Sequence, residues 1–270
     1  MATFQQAYFI KSLTQWYVKN ARPLPWRKTS DPYKIWISEV MLQQTTVATV
    51  IPYYKKWIKA FPSIKKLARA PLERVLRQWQ GLGYYQRARN LHRSAKIICR
   101  QYNACLPQDP EVLKKLPGFG PYTTGAVLSI AHDQRRPIID ANVRRVVMRL
   151  LAMGGFADVK KDEAIFEFLD EILPQKGVHI FNQALMELGA MVCRPQDPLC
   201  SICPVRRSCL AYKKGLQNAI PAFRKKIIHR IEAVTALIER EGELFMQQRP
   251  LSGLLAGLWE LPGGKIEAGE

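Results

Sequence analysis

Apolar side chains recur every three or four positions over most of the first 210 residues, the spacing that places them on one face of an α-helix. Strand-like alternation is rare in this region. Glycine and proline interrupt the pattern at sites such as Gly81-Leu82-Gly83 and Pro117-Gly118, so the pattern predicts a series of separate helices. The expected helices begin at Pro32, just after an N-cap at Asp31, and near Thr46, and then cover 63–79, 86–102, 110–115, 121–131, 140–152, 162–173 and 179–192.

The pattern changes after Cys209. Residues 211–225 are typical of a linker, and 226–270 form the start of a second domain that is too short for an independent core. We therefore predict a mainly α protein whose helical domain covers 1–210 and whose C-terminal α+β domain is incomplete. Such a chain is expected to stop partway through a larger protein.

A β-hairpin is expected within this second domain. Ile231–Ile238 and Leu244–Gln248 have strand-like composition, and between them lies the pair Glu241-Gly242. A short polar pair that ends in glycine is typical of a hairpin turn, because glycine readily adopts the positive φ that such turns require. The sequence therefore predicts that the two apolar runs pair with each other.

Charge indicates the kind of partner. The chain carries 41 Lys and Arg against 22 Asp and Glu, a net charge of +19. Between Val40 and Gln108 there are thirteen basic residues and one acidic residue, Glu73. A basic, amphipathic and aromatic segment of this kind favours a polyanion, with nucleic acid as the first candidate, although a solvated basic surface is the simpler alternative.

The N-terminus gives the expected compartment. Its apolar residues are separated by Gln, Lys and Thr, so it lacks the core of a signal peptide, and no apolar run in the chain reaches membrane-spanning length. We expect an intracellular, cytoplasmic protein without membrane contact. Because that compartment is reducing, clustered cysteines are expected to bind a metal more often than to form disulfides.

Four of the six cysteines lie close together, at Cys193, Cys200, Cys203 and Cys209. A disulfide clasp, a zinc site and an iron–sulfur cluster are the three candidates for this group. Four thiolates satisfy either metal, but zinc sites built from paired cysteines usually show two Cys-x2-Cys pairs, and this segment has one. The other two, Cys99 and Cys105, are assigned to packing or surface positions.

The segment LPGFGPYTTGA has the composition of a tight turn between two helices. Its proline and glycines leave backbone N–H groups near Gly118 and Gly120 free at the start of the helix that Pro121 opens. Such a turn can bind a phosphate. An ordinary corner between two helices is the alternative.

Two carboxylates carry candidate chemistry. Asp140 precedes an amphipathic helix and is expected to be its N-cap, a position that also keeps a carboxylate ionised. Glu39 borders the apolar stripe of the helix that begins at Pro32, so partial desolvation should raise its pKa. An acid and an anion of this kind suit cleavage of a bond to C1′ of a sugar. A simple cap and a surface glutamate are the alternatives.

Several motifs occur in one consistent order, and together they resemble the helix-hairpin-helix family of DNA glycosylases, in particular its MutY-type adenine DNA glycosylases. The motifs are PLPWR (23–27), DPYKIWISEVMLQQT (31–45), GLGYYQRARNLH (81–92), LPGFGPYTTGA (116–126), IIDANVRRV (138–146), FNQALMELGA (181–190) and the cysteine segment 193–209. The resemblance covers roughly residues 20 to 210. It implies a two-lobed helix-hairpin-helix fold with an iron–sulfur loop, followed by an incomplete Nudix-like domain.

The resemblance also implies a reaction and its residues. Glu39 would protonate the adenine and Asp140 would stabilise the sugar cation, while Tyr122 stands where related endonucleases have a lysine nucleophile, which implies a monofunctional glycosylase. The partner would be double-stranded DNA with adenine opposite 8-oxoguanine or guanine, bound by a monomer. The four clustered cysteines would hold a [4Fe-4S] cluster. Contacts with the base and the DNA would come from Trp26, Arg27, Gln43, Gln44, Tyr84, Gly118, Gly120, Asn142 and Gln183.

The C-terminal segment GLLAGLWELPGGKIEAGE resembles the opening of the Nudix-like domain that contacts 8-oxoguanine in this family. Gly264 and Glu270 have the spacing of a Nudix box. The alternative functions are a thymine-mismatch or oxidised-pyrimidine glycosylase, a non-catalytic iron–sulfur DNA-binding protein and a Nudix hydrolase.

Overall fold

The helices follow the sequence pattern closely. A computed structural model of the chain describes residues 5–222, 230–250, 253 and 257–266. Its α-helices are α1 Gln6–Asn20, α2 Pro32–Leu42, α3 Val47–Ala60, α4 Ile64–Arg69, α5 Leu72–Trp79, α6 Gln86–Gln101, α7 Pro110–Lys114, α8 Pro121–His132, α9 Ala141–Leu150, α10 Val159–Ile172, α11 Val178–Met191 and α12 Leu210–Lys213. The mainly helical prediction is therefore confirmed.

The helix boundaries have local causes. The Asp31 side chain accepts a hydrogen bond from the backbone N–H of Tyr33 at the start of α2, and Pro32 takes the first helical position. The single helix predicted over 63–79 is wrong, because the chain forms α4 and α5 with a break at Ala70-Pro71. Proline lacks an N–H donor and forces the preceding residue into an extended conformation.

Two hydrophobic cores divide the helical region into two lobes. The first core is built from α2 to α8 and is rich in aromatic side chains, including Trp57, which lies edge-on to both Phe61 and Trp79. The second core combines α1 with α9 to α12, where Phe9 of α1 packs edge-on against Phe181 of α11. The chain thus starts in one lobe, forms the other, and returns, which confirms the two-lobed fold.

Residues from the expected linker contribute to the second core. Ala211 and Ile220 are both buried there, and the backbone N–H of Ala222 donates a hydrogen bond to Gly155. The chain therefore stays attached to the second lobe through residue 222. The boundaries of the two domains remain a prediction.

The C-terminal residues form short antiparallel strand pairs. The strands are β1 Ala233–Thr235, β2 Glu239–Arg240, β3 Glu243–Leu244, β4 Gln247–Gln248, β5 Trp259–Glu260 and β6 Gly263–Lys265. The hairpin at Glu241-Gly242 is confirmed, since both residues have positive φ and β2 pairs with β3. The two predicted runs pair only at their adjoining ends, where the backbone N–H of Phe245 donates to the carbonyl of Ile238; farther from the turn, β1 pairs with β6 and β4 with β5. Gly263 permits the β1–β6 approach, since a Cβ there would collide with the carbonyl of Val234.

Apolar side chains on these strands stay largely exposed, Val234 and Trp259 among them. Their exposure is consistent with a small, incomplete domain. Glu270 and part of the 253–264 segment lie outside the described residues, so the resemblance of this segment to a Nudix-like domain stays a prediction. In the described part of the chain, no helix combines the length and apolarity that a membrane span requires.

Candidate active site in the cleft between the lobes

An open cleft of about 630 Å³ lies between the two lobes. Residues on α2 and α8 line one side of it, and residues on α9 and α11 line the other. It brings together most of the residues that the sequence singled out: Trp26, Arg27, Glu39, Gln43, Gln44, Tyr122, Asp140, Asn142 and Gln183. The two carboxylates, Glu39 and Asp140, therefore share one cavity although they are a hundred residues apart in sequence.

Glu39 is buried more deeply than the sequence suggested. Only 4% of the residue is exposed, on the inner face of α2. Burial raises the pKa of its carboxyl, and the nearby charge of Asp140 raises it further, whereas a hydrogen bond from Tyr122 and the charge of Arg27 lower it. The resulting pKa is about 7. A carboxyl group with this pKa is substantially protonated at neutral pH and can donate a proton.

Tyr122 holds one oxygen of this carboxyl. Its hydroxyl group donates a hydrogen bond to Glu39 Oε2 at 2.5 Å from the first full turn of α8. Burial, together with the charges of Glu39 and Asp140, keeps the pKa of Tyr122 well above its usual value. Tyr122 therefore remains a neutral donor, and it leaves Glu39 Oε1 available to the cleft.

Asp140 is the N-cap of α9, as predicted. Its Oδ1 accepts a hydrogen bond from the backbone N–H of Val143 at 2.6 Å, and its Oδ2 accepts one from Asn142 Nδ2 at 2.9 Å. The positive end of the α9 dipole therefore lies beside this carboxylate. Asn142 is itself held by Arg145, whose Nη2 donates to Asn142 Oδ1. A fixed negative charge is thus presented to the cleft.

Other predicted residues of the cleft wall have structural partners. Gln43 Nε2 donates to Thr123 Oγ1 at 3.1 Å, and Gln183 Oε1 accepts from Tyr17 at 3.1 Å. Trp26 is 6% exposed and packs edge-on against Tyr54, so it belongs to the first core as well as to the cleft. Core packing and a place on the cleft wall are therefore both observed for this tryptophan.

Tyr84, which the resemblance placed among the DNA contacts, lies outside the cleft wall. Tyr84 is 63% exposed and has a φ of 49°, just before α6. The guanidinium of Arg87 lies over its ring at 5.6 Å and over the ring of Trp79 at 5.1 Å. Arg87 also donates to the carbonyl groups of Val40, Met41, Gln43, Leu82 and Gly83. A single half-buried arginine thus joins the end of α2 to the Tyr84 turn, a role that the sequence alone did not indicate.

Gly118 and Gly120 are the exposed residues of the turn between α7 and α8, whereas Phe119 between them is buried. Gly118 has a φ of 83°, and a Cβ added there would meet the Asn90 side chain at 3.0 Å, so both backbone conformation and space favour glycine. Gly120 caps α8 without a side chain and is exposed. Ser94 fixes the turn by donating to the carbonyl of Pro117 at 2.7 Å. The two glycines of the turn are therefore accessible to solvent.

A buried ion cluster at the cleft was not predicted. Glu187 on α11 is 1% exposed and accepts paired hydrogen bonds from Arg22 and from Arg27, at 2.7 to 2.9 Å. Burial alone would raise the pKa of Glu187, but hydrogen bonds from the two arginines lower it to about 2. The cluster ties α11 to the segment after α1. In the sequence, only its place in the FNQALMELGA motif marks this glutamate.

We expect Glu187→Gln to lower the free energy of unfolding by about 2–4 kcal/mol at pH 7, because it leaves two partly buried arginines without a counter-charge. The depressed pKa of Glu187 means that its stabilisation is complete above about pH 4.5 and is lost as pH falls towards about 2. The free energy of unfolding, measured by urea titration across this pH range, should therefore depend more steeply on pH for the unaltered chain than for the variant. Glu73→Gln removes an exposed pair with Arg77 and should have little effect. Equal losses in both variants would contradict the assignment.

The four clustered cysteines line one small cavity beside α9. All cysteines of the chain are free thiols, so the disulfide alternative is not formed. Burial raises the pKa of Cys203 to about 12, and it raises the pKa of Cys200 and Cys209 as well. Thiols of this kind ionise only beside a strong positive charge, which a metal group supplies.

Across the described residues, no three His, Cys, Asp or Glu side chains are arranged to hold a metal ion. The four thiols nevertheless line one cavity, and four thiolates around one cavity can hold a metal group. Arg149 on α9 is 1% exposed and contacts the segment closely, donating to Cys193 Sγ at 3.2 Å and to the carbonyl groups of Arg194 and Pro195. The segment is thus fixed to the helix that Asp140 begins.

Comparisons with known proteins agree with this architecture. Residues 37–175 match the model of the HhH-GPD superfamily base excision DNA repair proteins. An adenine DNA glycosylase of Buchnera aphidicola subsp. Schizaphis graminum is 42% identical over 222 residues, which are 82% of this chain and 64% of the relative. The human adenine DNA glycosylase is 36% identical over 318 residues, covering 97% of this chain and 58% of the relative. An adenine DNA glycosylase of Buchnera aphidicola subsp. Baizongia pistaciae is 37% identical, and the match covers 94% of this chain and 73% of the relative.

Solved structures show the same fold. A thermostable thymine-DNA glycosylase superposes with a TM-score of 0.69 at 27% identity, covering 77% of this chain and 97% of that one. An endonuclease III in a non-covalent DNA complex superposes with a TM-score of 0.67 at 27% sequence identity. The match covers 80% of this chain and 100% of that one. The fold and the cleft thus define a helix-hairpin-helix base excision repair protein. Within that class, the chain belongs to the family of adenine DNA glycosylases. It spans about three fifths of the length of several curated relatives.

Proposed function

We propose that this chain removes adenine from double-stranded DNA by hydrolysing the bond between the base and C1′, which leaves an abasic site. The observation that carries the proposal is the cleft itself, where a carboxyl group with a pKa of about 7 shares one cavity with a carboxylate at a helix N-terminus. A flipped-out nucleotide would lie between them. The curated relatives named adenine DNA glycosylase, at 36–42% identity, support adenine as the base.

The proposed reaction assigns one role to each of three residues. Glu39 donates its proton to N7 of the adenine, so that the base leaves as a neutral molecule when the bond to C1′ breaks. Asp140 stabilises the positive charge that develops on the sugar, and a water molecule then adds to C1′ and loses a proton to solvent, from which Glu39 regains one. Tyr122 orients the acid through Glu39 Oε2.

The residues of the cleft favour hydrolysis over strand cleavage. Among the described residues that line it, the only cations are Arg22 and Arg27, both engaged with Glu187. An amine nucleophile would have to come from a lysine, and none lines this wall. We therefore infer a monofunctional enzyme, with Tyr122 in the place where related endonucleases have the lysine.

Tyr122→Phe should shift the pH dependence of adenine release. The lost hydrogen bond stabilised the ionised form of Glu39, so its removal raises the Glu39 pKa and moves the alkaline fall in rate to higher pH. Single-turnover rates between pH 5.5 and pH 9, in buffers of constant ionic strength, would measure the shift. Tyr53→Phe removes a similar hydroxyl, which bonds the carbonyl of Gln80 outside the cleft, and should leave the profile unchanged. A profile that moves to lower pH in the Tyr122 variant would contradict the positioning role.

We also propose that the adenine lies opposite 8-oxoguanine or guanine, and that one monomer binds one lesion. Exposed Tyr84, supported by Arg87, would fill the space beside the opposing base, and the turn at Gly118 and Gly120 would hold a DNA phosphate. The C-terminal segment would begin the domain that contacts 8-oxoguanine. Single-turnover assays on duplexes that vary only the base opposite adenine test this specificity, and equal rates for all four bases would refute it.

A thymine glycosylase is the nearest alternative, since a thymine-DNA glycosylase is among the similar structures at 27% identity. Identification of the released base by chromatography separates the two functions. A non-catalytic DNA-binding protein would bind the duplex and release no base. The buried acid at Glu39 favours catalysis, because burial of a carboxyl group costs stability and contributes nothing to simple DNA binding.

We propose a [4Fe-4S] cluster as the cofactor, held by Cys193, Cys200, Cys203 and Cys209. When bound, the cluster would supply the positive charge that ionises these four thiols and would fold the loop around itself. Arg149 holds the loop against α9. Iron and sulfide analysis of the purified protein should give about four of each per chain. Zinc in their place would refute the assignment.

A further inference from the structure

A second concave site lies on the first lobe, between α4 and α6, with a volume of about 440 Å³. Four exposed cations line it, Lys65 and Arg69 from α4 and Lys96 and Arg100 from α6. Its remaining wall consists of Ala68, Cys99, Asn103 and Ala104. We call this site the α4–α6 cleft. It shares no lining residue with the cleft between the lobes.

The four cations have no acidic partners. Throughout the described residues, no carboxylate lies within ion-pair distance of any of them, and Glu73, the one acidic residue between Val40 and Gln108, pairs with Arg77 instead. Each helix places its two cations four residues apart, on one face, where like charges repel and destabilise the helix. The arrangement therefore lowers stability unless an anion occupies the cleft.

The charges of Lys65 and Arg69 act on Cys99, which also lines the α4–α6 cleft. Burial raises the pKa of the Cys99 thiol, and the positive charges of Lys65 and Arg69 act on the same thiol in the opposite direction. Cations from two helices that face one concavity make a local positive potential, which a compact anion with several oxygens can satisfy. Arginine guanidinium groups in particular match the oxygen geometry of phosphate.

The α4–α6 cleft and the Tyr84 turn share helix α6. This helix begins two residues after Tyr84, and Arg100, in its last turn, lies about 21 Å from Gln86 at about 1.5 Å per residue. That length corresponds to roughly six base-pair steps of duplex DNA at about 3.4 Å each along one strand. A duplex that has its lesion at Tyr84 and its axis along α6 would have backbone phosphates at this range.

We propose that the α4–α6 cleft is a phosphate-binding site that takes two neighbouring phosphate groups of a nucleic-acid backbone, away from the base that is excised. The same chemistry would accept the phosphates of a free nucleotide or of pyrophosphate. The backbone is the favoured source, because the cleft is open, lies on the helix that carries the Tyr84 turn, and belongs to the most basic segment of the chain. This inference rests on the proposed DNA-binding function.

The test compares two variants of equal charge. One is K65Q/R69Q/K96Q/R100Q, and the control is K11Q/K19Q/K160Q/K176Q, which removes four exposed lysines from the second lobe. Affinity for an undamaged duplex is measured by fluorescence anisotropy over a series of salt concentrations. Melting temperature is measured with and without sodium pyrophosphate, at an ionic strength matched with chloride. If the first variant does not fold, K65Q/K96Q takes its place.

Loss of two phosphate contacts should lower the slope of log affinity against log salt by about 2 and weaken binding about tenfold at low salt, relative to the control. Pyrophosphate should raise the melting temperature of the unaltered chain and of the control. If only the α4–α6 variant loses this rise while its duplex binding is unchanged, the cleft is a phosphate site for a soluble ligand. No difference from the control in either measurement overturns the proposal. Adenine release by the unaltered chain tests the proposed function separately, so the two failures are distinguishable.

Discussion

Glu39→Gln is expected to lower the single-turnover rate of adenine release by about 10³-fold, since general acid catalysis contributes about 10²- to 10⁴-fold. The amide has the same shape and can still accept the hydrogen bond from Tyr122, but it has no proton to give to the leaving base. The rate is measured with enzyme in excess over a duplex with adenine opposite 8-oxoguanine. Binding of the duplex should change little.

The same substitution should stabilise the fold. The folded chain binds the Glu39 proton up to about pH 7, whereas an unfolded glutamate loses it near pH 4.5, so ionisation of this buried acid destabilises the native state as pH rises. At pH 8 the variant should be more stable than the unaltered chain by about 3 kcal/mol. Glu163→Gln changes an exposed glutamate on α10 and serves as the control. A variant that is both unstable and inactive would not support the assignment of Glu39 as the acid.

Asp140→Asn should reduce the same rate by about 10³-fold, because it removes the negative charge that stabilises the developing sugar cation. Asparagine caps helices nearly as well as aspartate, so the hydrogen bond from the backbone N–H of Val143 can persist. The free energy of unfolding should fall by no more than about 1 kcal/mol, the cost of disturbing the contact with Asn142. The substitution therefore separates the charge from the cap.

A matched control for Asp140 exists on the second lobe. Asp158 is the N-cap of α10 and accepts a hydrogen bond from the backbone N–H of Lys161 at 2.9 Å, but it is exposed and outside the cleft. Asp158→Asn should leave adenine release unchanged. Full activity in the Asp140 variant, or equal losses in both variants, would contradict the role of Asp140 in stabilising charge.

Helix caps were the features most directly predictable from sequence. The side chains of Asp31 and Asp140 accept hydrogen bonds from N–H groups two or three residues away, and Pro32 takes the first position of its helix. These effects are local, so the order of residues in the sequence is enough to predict them. The break at Ala70-Pro71 was equally local and was missed because the apolar spacing continues across it. The strand pairing was predicted only next to the Glu241-Gly242 turn, because the partner of Ala233–Thr235 lies near residue 264 and pairing at that distance leaves no local pattern.

The interior of the cleft was predictable only in part. The pattern placed Glu39 beside an apolar stripe, but its nearly complete burial depends on α8 packing against α2, a contact between distant segments. The ion cluster at Glu187 and the contacts of Arg87 likewise join residues from different parts of the chain. The resemblance to known motifs identified the segments that contain these residues. Their hydrogen-bond partners could be identified only from the structure.

The pH dependence of adenine release by the unaltered chain tests the central claim most directly. Single-turnover rates on a duplex with adenine opposite 8-oxoguanine should be highest below about pH 7 and should fall about tenfold for each pH unit well above it, as Glu39 loses its proton. The residual rate of the Glu39→Gln variant should not follow this curve. A rate that stays constant from pH 6 to pH 9, or that rises with pH, would show that a buried, protonated Glu39 is not the acid.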